Sequence, residues 1–209
     1  MIDLIFKLVL AYLVGCIMGS LLLGRLRQVD IRTVGSGNAG GTNALRTQGK
    51  LFALGVIVID IGKGALAAGW IPYLTWISTA PVPAWLPFAC AALAVIGHCY
   101  PVFYGFRGGK GAATLVGTYL VLAPVVVIPL LVVWIVTIVI TGFVGLATMI
   151  TGHAAWLVAL AVYGPSATLL IAYGIVMAVF VVFTHRSNIQ RMREGTESQN
   201  TRLMVFKKS

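Results

Sequence analysis

Residues 124–141 read PVVVIPLLVVWIVTIVIT and contain no charged side chain. They lie inside a longer stretch, residues 111–184, that has no Asp, Glu, Lys or Arg. Residues 64–106 also lack these residue types. A helix that crosses the hydrocarbon core of a bilayer needs about 20 apolar residues, so the longest stretch has room for several crossings. The chain is therefore predicted to be an all-α polytopic membrane protein.

The composition and the net charge agree with this class. Hydrophobic residues make up 59% of the chain and charged residues only 10%, against about 25% charged residues in ordinary soluble domains. A formal net charge of +10 could indicate nucleic-acid binding, but the cations gather in three segments instead of covering one soluble face. Basic loops are typical of the cytoplasmic side of a membrane protein. We therefore expect membrane lipids and no nucleic acid as partners.

Apolar runs and the breaks between them predict about seven transmembrane helices. The first three are expected at residues 4–23, 51–71 and 85–98, with a proline-containing connection at residues 72–84. Four more are expected between residues 112 and 184, because turn-forming residues interrupt the apolar sequence in three places. These breaks lie near Pro124, at residues 141–145 and at Gly164-Pro165.

The positions of the cations predict the orientation. They form three groups. The first lies in the loop at residues 25–50, and the second consists of Arg107 and Lys110. The third lies in the tail, at Arg186, Arg191, Arg193, Arg202, Lys207 and Lys208. Seven crossings place all three basic segments on one side, which is cytoplasmic by the positive-inside rule. The N-terminus is then outside and the C-terminus is cytoplasmic. Five crossings would satisfy the same test.

The first basic segment, residues 34–50, reads VGSGNAGGTNALRTQGK. Its glycines, among them Gly37, Gly40 and Gly41, allow the backbone to approach a ligand closely, and successive N–H groups in such a loop can bind an anion. Ser36, Asn38, Thr42 and Asn43 add neutral hydrogen-bond donors, and Arg46 adds a guanidinium suited to a phosphate. The alternative is a flexible cytoplasmic linker.

The second segment, residues 97–111, reads GHCYPVFYGFRGGKG and repeats this chemistry. Gly108, Gly109 and Gly111 surround Lys110, although a basic cytoplasmic turn would also explain them. Two glycine-rich basic loops on one face indicate a substrate with two phosphates or two phosphorylated substrates.

The third segment, residues 184–197, places His185, Asn188 and Glu197 just after the last predicted helix. Here the alternative is a juxtamembrane tail that binds anionic lipids. Asp60 and Lys63 lie three residues apart within a predicted helix, where charges are costly. They are expected to form an internal ion pair, or to support the cationic site from within the membrane.

The three segments together resemble the bacterial acyl-phosphate:glycerol-3-phosphate acyltransferase family. Residues 35–46 resemble its GSGNxGxTNxxR motif, residues 97–111 its GHxxPVFxxFxGGKG motif, and residues 185–197 its HxxNIxRxxxGxE motif. The resemblance implies a single integral-membrane domain over residues 1–209, in the bacterial cytoplasmic (inner) membrane, with its active site on the cytoplasmic face. It also implies a reaction in which acyl phosphate and sn-glycerol 3-phosphate give 1-acylglycerol 3-phosphate (lysophosphatidic acid) and phosphate, the first step of phospholipid synthesis. No cofactor and no metal are expected, and functional coupling to an acyl-phosphate-forming enzyme is expected.

The resemblance transfers site residues position by position. The candidate catalytic residues are Ser36, Asn38, Arg46, Lys110, His185 and Asn188. The candidate substrate- or phosphate-binding residues are Gly37, Gly40, Gly41, Thr42, Asn43, Gly108, Gly109, Gly111 and Glu197. One position departs from the family, since Gly145 stands where members often carry a serine. A hydroxyl contact is then absent, or is supplied by Thr141 or Thr148.

The chemistry requires no covalent intermediate, because acyl phosphate is already an activated donor. The sequence has no GxSxG nucleophile motif, which favours direct attack by the glycerol 1-hydroxyl. The base is either His185 or the phosphate of the donor. Two other functions stay open: an organic-phosphate transporter, for which the Asp60–Lys63 pair is the supporting feature, and a glycerol-3-phosphate acyltransferase that uses acyl-CoA.

Overall fold

The computed structural model describes residues 1–201 and 203–205, and this part of the chain contains α-helices and short 3-10 turns but no β-strand. The helices are α1 (Ile2–Gly15), α2 (Gly19–Leu26), α3 (Gly41–Gln48), α4 (Lys50–Gly69), α5 (Leu86–Cys99), α6 (Ala112–Leu122), α7 (Pro124–Thr141), α8 (Val144–Tyr163), α9 (Thr168–Thr184) and α10 (Arg186–Arg193). The all-helical class is confirmed. Arg202, Lys207 and Lys208, which entered the predicted orientation, lie outside the described residues.

Most predicted helix boundaries are confirmed. The helices α4 and α5 match the second and third predicted helices, and the three expected breaks separate α6, α7, α8 and α9. Pro124 stands at the first position of α7, where its missing N–H costs no helical hydrogen bond. Gly142 ends α7 with φ at 72°, a left-handed conformation that glycine adopts without steric cost.

The first helix and two of the polar segments differ from the prediction. The range 4–23 is divided into α1 and α2, whose axes differ by 48°. The predicted loop at residues 25–50 contains α3, and the third segment contains α10. The predicted loop contributes Ile31, Ala39 and Ala44 to an apolar cluster with residues of α2 and α4. Burial of these side chains stabilises a fold that hydropathy alone does not reveal.

Several helices are long enough to cross a bilayer. Among the described residues, four spans satisfy both length and hydropathy: Lys50–Tyr73, Leu86–Tyr104, Pro124–Thr141 and Val144–Tyr163. The bent pairs α1–α2 and α9–α10 raise this number to six if each pair crosses as one span. The helix α6 has 11 residues and is about 16 Å long, roughly half the thickness of the hydrocarbon core. A multi-pass protein is supported, whereas seven crossings and the orientation of the termini stay predictions.

The chain divides into two compact units, Met1–Leu122 and Ala123–Ser209. In the first unit, α1 packs on α5, and α4 packs on α6. Glycines bring these helices close together, since a Cβ on Gly97 would meet the backbone of α1 and a Cβ on Gly117 would meet that of α4. In the second unit, α8 packs against α7 and α9, and α10 contacts α8 and α9. That residues 1–209 form a single domain stays a prediction.

Candidate active site

In the first unit, an internal asparagine shapes the first polar segment. Asn43 is 1% exposed, and its Oδ1 accepts a hydrogen bond from the backbone N–H of Ser36 at 2.9 Å. Its Nδ2 donates to the carbonyl oxygens of Ile31 and Val34, each at 3.0 Å. Gly35 has φ at 60°, and a Cβ there would collide with Oδ1 of Asn43. Asn43, a predicted phosphate-binding residue, therefore uses its side chain to hold the turn that carries Ser36.

The exposed side of the same segment carries the predicted polar side chains. Thr42 and Arg46 are four residues apart on α3, so they share one helix face, and both are exposed. Ser36 is exposed as well, while Asn38 is half-buried. Gly40 is the N-cap of α3, and a glycine offers no side chain to occupy the first-turn N–H groups. This end of α3 therefore has the properties of an anion-binding site.

A serine of α2 that the sequence analysis did not predict holds the backbone of the first segment. Ser20 of α2 is fully buried, and its hydroxyl donates to the carbonyl oxygen of Ala39 at 2.8 Å. Because Ala39 stands between Asn38 and Gly40, this bond fixes the backbone of two predicted site residues. No local pattern around Ser20 indicates this contact.

In the second segment, two glycines lie directly on the end of α5. The N–H of Gly108 donates to the carbonyl of Cys99 at 3.2 Å, and the N–H of Gly109 donates to that of His98 at 3.1 Å. A Cβ on Gly108 would collide with the carbonyl of His98, and one on Gly109 would collide with the ring Nε2 of His98. Close packing therefore explains these two glycines. Lys110 follows them and is half-buried.

An arginine outside the predicted set connects the loop before the first segment to the second segment. Nη1 of Arg32 donates to the carbonyl oxygens of Tyr104 and Arg107, at 3.1 and 3.3 Å. Its Nη2 lies 2.7 Å from Oδ2 of Asp30. The hydrogen bonds from Arg32 lower the pKa of Asp30, and partial burial of the carboxylate opposes them. We refer to Asp30 and Arg32 as the clasp. Their opposite charges, two residues apart in the sequence DIR, are the signal that could have predicted it.

The predicted ion pair between Asp60 and Lys63 is confirmed, with Nζ of Lys63 at 3.0 Å from Oδ1 of Asp60. It has further partners that sequence reasoning missed. The same ammonium lies 2.8 Å from Nδ1 of His98 and donates to the carbonyl of Ile17 at 2.7 Å. The ammonium of Lys63 therefore has three partners within the first unit, whereas Oδ2 of Asp60 is buried without a hydrogen-bond partner among the described residues.

In the second unit, His185 lies at the junction of α9 and α10 and is 4% exposed. Its Nδ1 is 2.8 Å from the carbonyl oxygen of Val181. A carbonyl only accepts, so Nδ1 carries the hydrogen in this contact, and Nε2 of a neutral ring is then the acceptor. This tautomer would allow Nε2 to receive a proton.

Asn188 and Glu197 form a second polar group in the same unit. Nδ2 of Asn188 donates to Oε1 of Glu197 at 2.6 Å, and Nε of Arg191 donates to Oε2 at 2.6 Å. Both carboxylate oxygens of Glu197 therefore have partners in the chain. Gly145, the expected departure from the family pattern, lies beside Asn188, because a Cβ there would be 2.9 Å from its Cγ and Nδ2.

The predicted site residues are thus divided between the units. Ser36, Asn38, Thr42, Arg46 and Lys110 lie in the first, and His185, Asn188 and Glu197 lie in the second. A family model described as glycerol-3-phosphate acyltransferase matches residues 5–195 of the chain. The chain belongs to the PlsY family of glycerol-3-phosphate acyltransferases.

Relatives and solved structures in this family cover nearly the whole chain. A glycerol-3-phosphate acyltransferase from Syntrophomonas wolfei is 43% identical, over 93% of this chain and 95% of that protein. One from Bacillus velezensis is 39% identical, over 91% and 94%. The crystal structure of the integral membrane PlsY (YgiH) in its glycerol 3-phosphate form has a TM-score of 0.83 at 32% identity and covers 94% of both chains. Its lysophosphatidic acid form has a TM-score of 0.82 at 31% identity, with the same coverage.

Proposed function

We propose that this protein transfers an acyl group from acyl phosphate to the 1-hydroxyl of sn-glycerol 3-phosphate, producing 1-acylglycerol 3-phosphate and inorganic phosphate. The observation that carries the proposal is the first segment: Ser36 and Thr42 are exposed near the N-terminal turn of α3, which has no side-chain cap, and Arg46 is exposed in the last turn of the same helix. Membership in a family whose solved member has a glycerol 3-phosphate form and a lysophosphatidic acid form supports the choice of acceptor and product.

Phosphate binding is assigned to groups that can carry positive charge or donate hydrogen bonds. The guanidinium of Arg46 can bind two phosphate oxygens at once, and the first-turn N–H groups of α3 add the positive end of the helix dipole. Lys110 supplies a second cation from the glycine-rich second segment. Asn43 and Ser20 act differently, because their polar atoms hold the backbone of the first segment. We assign them to positioning.

The acyl donor is assigned from the chemistry that the chain offers. Acyl phosphate has a good leaving group, so the 1-hydroxyl can attack its carbonyl carbon directly. The new C–O bond forms to glycerol, the bond from carbon to the phosphate oxygen breaks, and phosphate departs with the electron pair. Ser36 stands in GSGN and not in a GxSxG nucleophile motif. We therefore assign Ser36 and Asn38 to hydrogen bonds that stabilise the developing negative charge.

We assign proton transfer to the departing phosphate, which gains basicity as it leaves. His185 is almost fully buried and tied to Val181, which fits a residue that orients its neighbours better than one that exchanges protons freely. Asn188 donates a hydrogen bond to Glu197, and we assign it the same orienting role as His185. A general base contributes about 10²–10⁴-fold to a rate, so a smaller loss in a His185 variant is expected.

We further propose that the reaction takes place at the cytoplasmic face of the bacterial cytoplasmic membrane, next to an enzyme that forms acyl phosphate. The basic residues of both polar segments in the first unit favour this side. The transporter alternative loses support, because the intramembrane charges of Asp60 and Lys63 are already paired with each other and with His98.

The decisive experiment is an assay of the purified full chain with sn-glycerol 3-phosphate and three donors in turn: palmitoyl phosphate, palmitoyl-CoA and palmitoylated acyl carrier protein. We expect turnover with palmitoyl phosphate alone. Arg46→Gln should lower kcat/KM on the order of 10²–10³-fold, whereas Lys50→Gln, the same charge change at another exposed position, should not. Turnover with a thioester but not with palmitoyl phosphate would overturn the donor assignment.

A further inference from the structure

A buried charged cluster in the first unit has no role in the mechanism proposed above. Asp60 and Lys63 of α4 and His98 of α5 are 1%, 5% and 2% exposed. We refer to these three residues as the α4–α5 cluster. Charged groups are costly to bury and are retained where they have partners or a function. The question is what this cluster supports.

The cluster fixes the ring of His98. An ammonium has three donors and no acceptor, and Nζ of Lys63 directs them to Oδ1 of Asp60, Nδ1 of His98 and the carbonyl of Ile17. Nδ1 of His98 also lies 3.5 Å from Oδ1 of Asp60; beside the closer ammonium it is an acceptor, which places the hydrogen of a neutral ring on Nε2. The ring is held at its Nδ1 edge, and its Nε2 edge points away from Lys63.

The Nε2 edge lies against the glycine-rich second segment. A Cβ on Gly109 would collide with this nitrogen, and its next nearest atoms, Cε1 and Cδ2, belong to the same ring. The backbone is anchored at the same place, since Gly109 donates to the carbonyl of His98 and Gly108 to that of Cys99. Gly109, the residue before Lys110, therefore packs directly against the imidazole ring of His98.

We propose that the α4–α5 cluster is a positioning device, in which Asp60 and Lys63 hold His98 so that its ring sets the backbone at Gly109 and thereby the position of Lys110. The cluster touches the loop and not the substrate, so its residues are positioning residues. The effect on catalysis rests on the proposed function, whereas the effect on the loop does not.

A double-mutant cycle tests the contact between His98 and Gly109. Gly109→Ala should lower kcat/KM on the order of 10²-fold, because the new methyl displaces the loop. His98→Asn keeps an acceptor near the position of Nδ1 for Lys63 but removes the Nε2 edge, leaving room for that methyl. The double variant should therefore be at least about tenfold more active than Gly109→Ala alone, since residues in contact are not additive. A double variant no better than Gly109→Ala would overturn the proposal.

Hydrogen–deuterium exchange of the full chain in lipid tests the loop without any assay of turnover. We expect faster exchange of the amides at residues 108–111 in His98→Asn and in Lys63→Met. Lys7→Met is the matched control, because Lys7 is also buried and ion-paired, with Asp3 at 2.9 Å, and should leave these amides unchanged. If Lys63→Met does not fold, the exchange of residues 108–111 in His98→Asn tests the proposal by itself.

These two measurements separate the proposals. A wild-type protein that does not use palmitoyl phosphate would contradict the proposed function, yet accelerated exchange at residues 108–111 would still support the cluster. Unchanged exchange in His98→Asn would overturn the positioning role even in a fully active enzyme.

Discussion

The side chain of Asn188 lies against the bare Cα of Gly145, so that a Cβ there would come within 2.9 Å of Cγ and Nδ2. Asn188 has little freedom to move away, because it is 8% exposed and its Nδ2 is 2.6 Å from Oε1 of Glu197. The glycine therefore leaves space that the asparagine uses.

Gly145→Ala should therefore destabilise the protein by about 1–3 kcal/mol, the usual cost of overpacking. Gly152→Ala is the matched control on the same helix, since a Cβ there would be no closer than 3.6 Å to its neighbours. Helix propensity then favours alanine by up to about 1 kcal/mol. Thermal unfolding in the same detergent compares the two, and equal shifts would contradict the contact described above.

Asn43 should matter for activity although its side chain is buried. Asn43→Ala removes one acceptor and two donors, leaving the N–H of Ser36 and two carbonyls without their partner, at a cost of about 1–3 kcal/mol for each buried group. We expect a lower melting temperature together with a loss of kcat/KM.

Asn43→Asp separates the acceptor from the donors, because it retains an acceptor for Ser36 and loses both donors. A buried carboxylate would face the carbonyl oxygens of Ile31 and Val34, so this variant should be no more active than Asn43→Ala. An alanine variant with full activity would show that the turn at residues 34–37 does not depend on this side chain.

The clasp of Asp30 and Arg32 predicts a pH dependence. The pKa of Asp30 is lowered in the folded protein by hydrogen bonds from Arg32, so its stabilisation is fully present above the unfolded value of about 3.9. It is lost as the pH falls through the folded pKa. Melting temperatures measured from pH 7 down to pH 3 should fall less steeply in Asp30→Asn than in the wild type.

Arg32→Lys tests the geometry of the same clasp. A lysine keeps the charge but cannot hold Asp30 and the carbonyls of Tyr104 and Arg107 with a planar fork. We expect kcat/KM to fall while the melting temperature changes by only a few degrees. Arg25→Lys is the control, because Arg25 also lies near the ring of Tyr104, at 5.7 Å, but has no part in the clasp.

Two glutamates of the third segment should respond differently to the same substitution. Glu197→Gln weakens the contact with Arg191, while Glu197→Ala removes both of its contacts and leaves Asn188 and Arg191 without them. Activity should therefore fall from wild type to glutamine to alanine. Glu194 is exposed and accepts a hydrogen bond from Nε2 of Gln190, so Glu194→Gln should stay within about 0.5 kcal/mol of the wild type. Turnover and unfolding measured together check both residues.

His185→Asn tests the proton acceptor. If the departing phosphate takes the proton, kcat should fall by less than about 10²-fold, and its dependence on pH should keep the shape of the wild-type curve. A pH dependence of changed shape, together with a fall beyond that limit, would show that His185 is the base.

The sequence determined the class, most of the helices and the ion pair of Asp60 and Lys63, because hydropathy, proline and glycine breaks, and a spacing of three residues on a helix are local properties. It also located the three polar segments that resemble motifs of the family. It did not reveal that α3 and α10 are helices, since both are short and polar and are stabilised by distant parts of the chain.

Tertiary structure decided what the individual side chains do. Asn43 turns inward because carbonyls of Ile31 and Val34 and the N–H of Ser36 converge on it, and Ser20 reaches Ala39 from a different helix. His98 meets Lys63 across a separation of 35 residues, and Arg32 meets Tyr104 across 72. Such partners depend on how helices pack, and no local pattern encodes them. The sequence alone therefore identifies where the polar chemistry lies, while the packing decides which residues can face a substrate and which hold those residues in place.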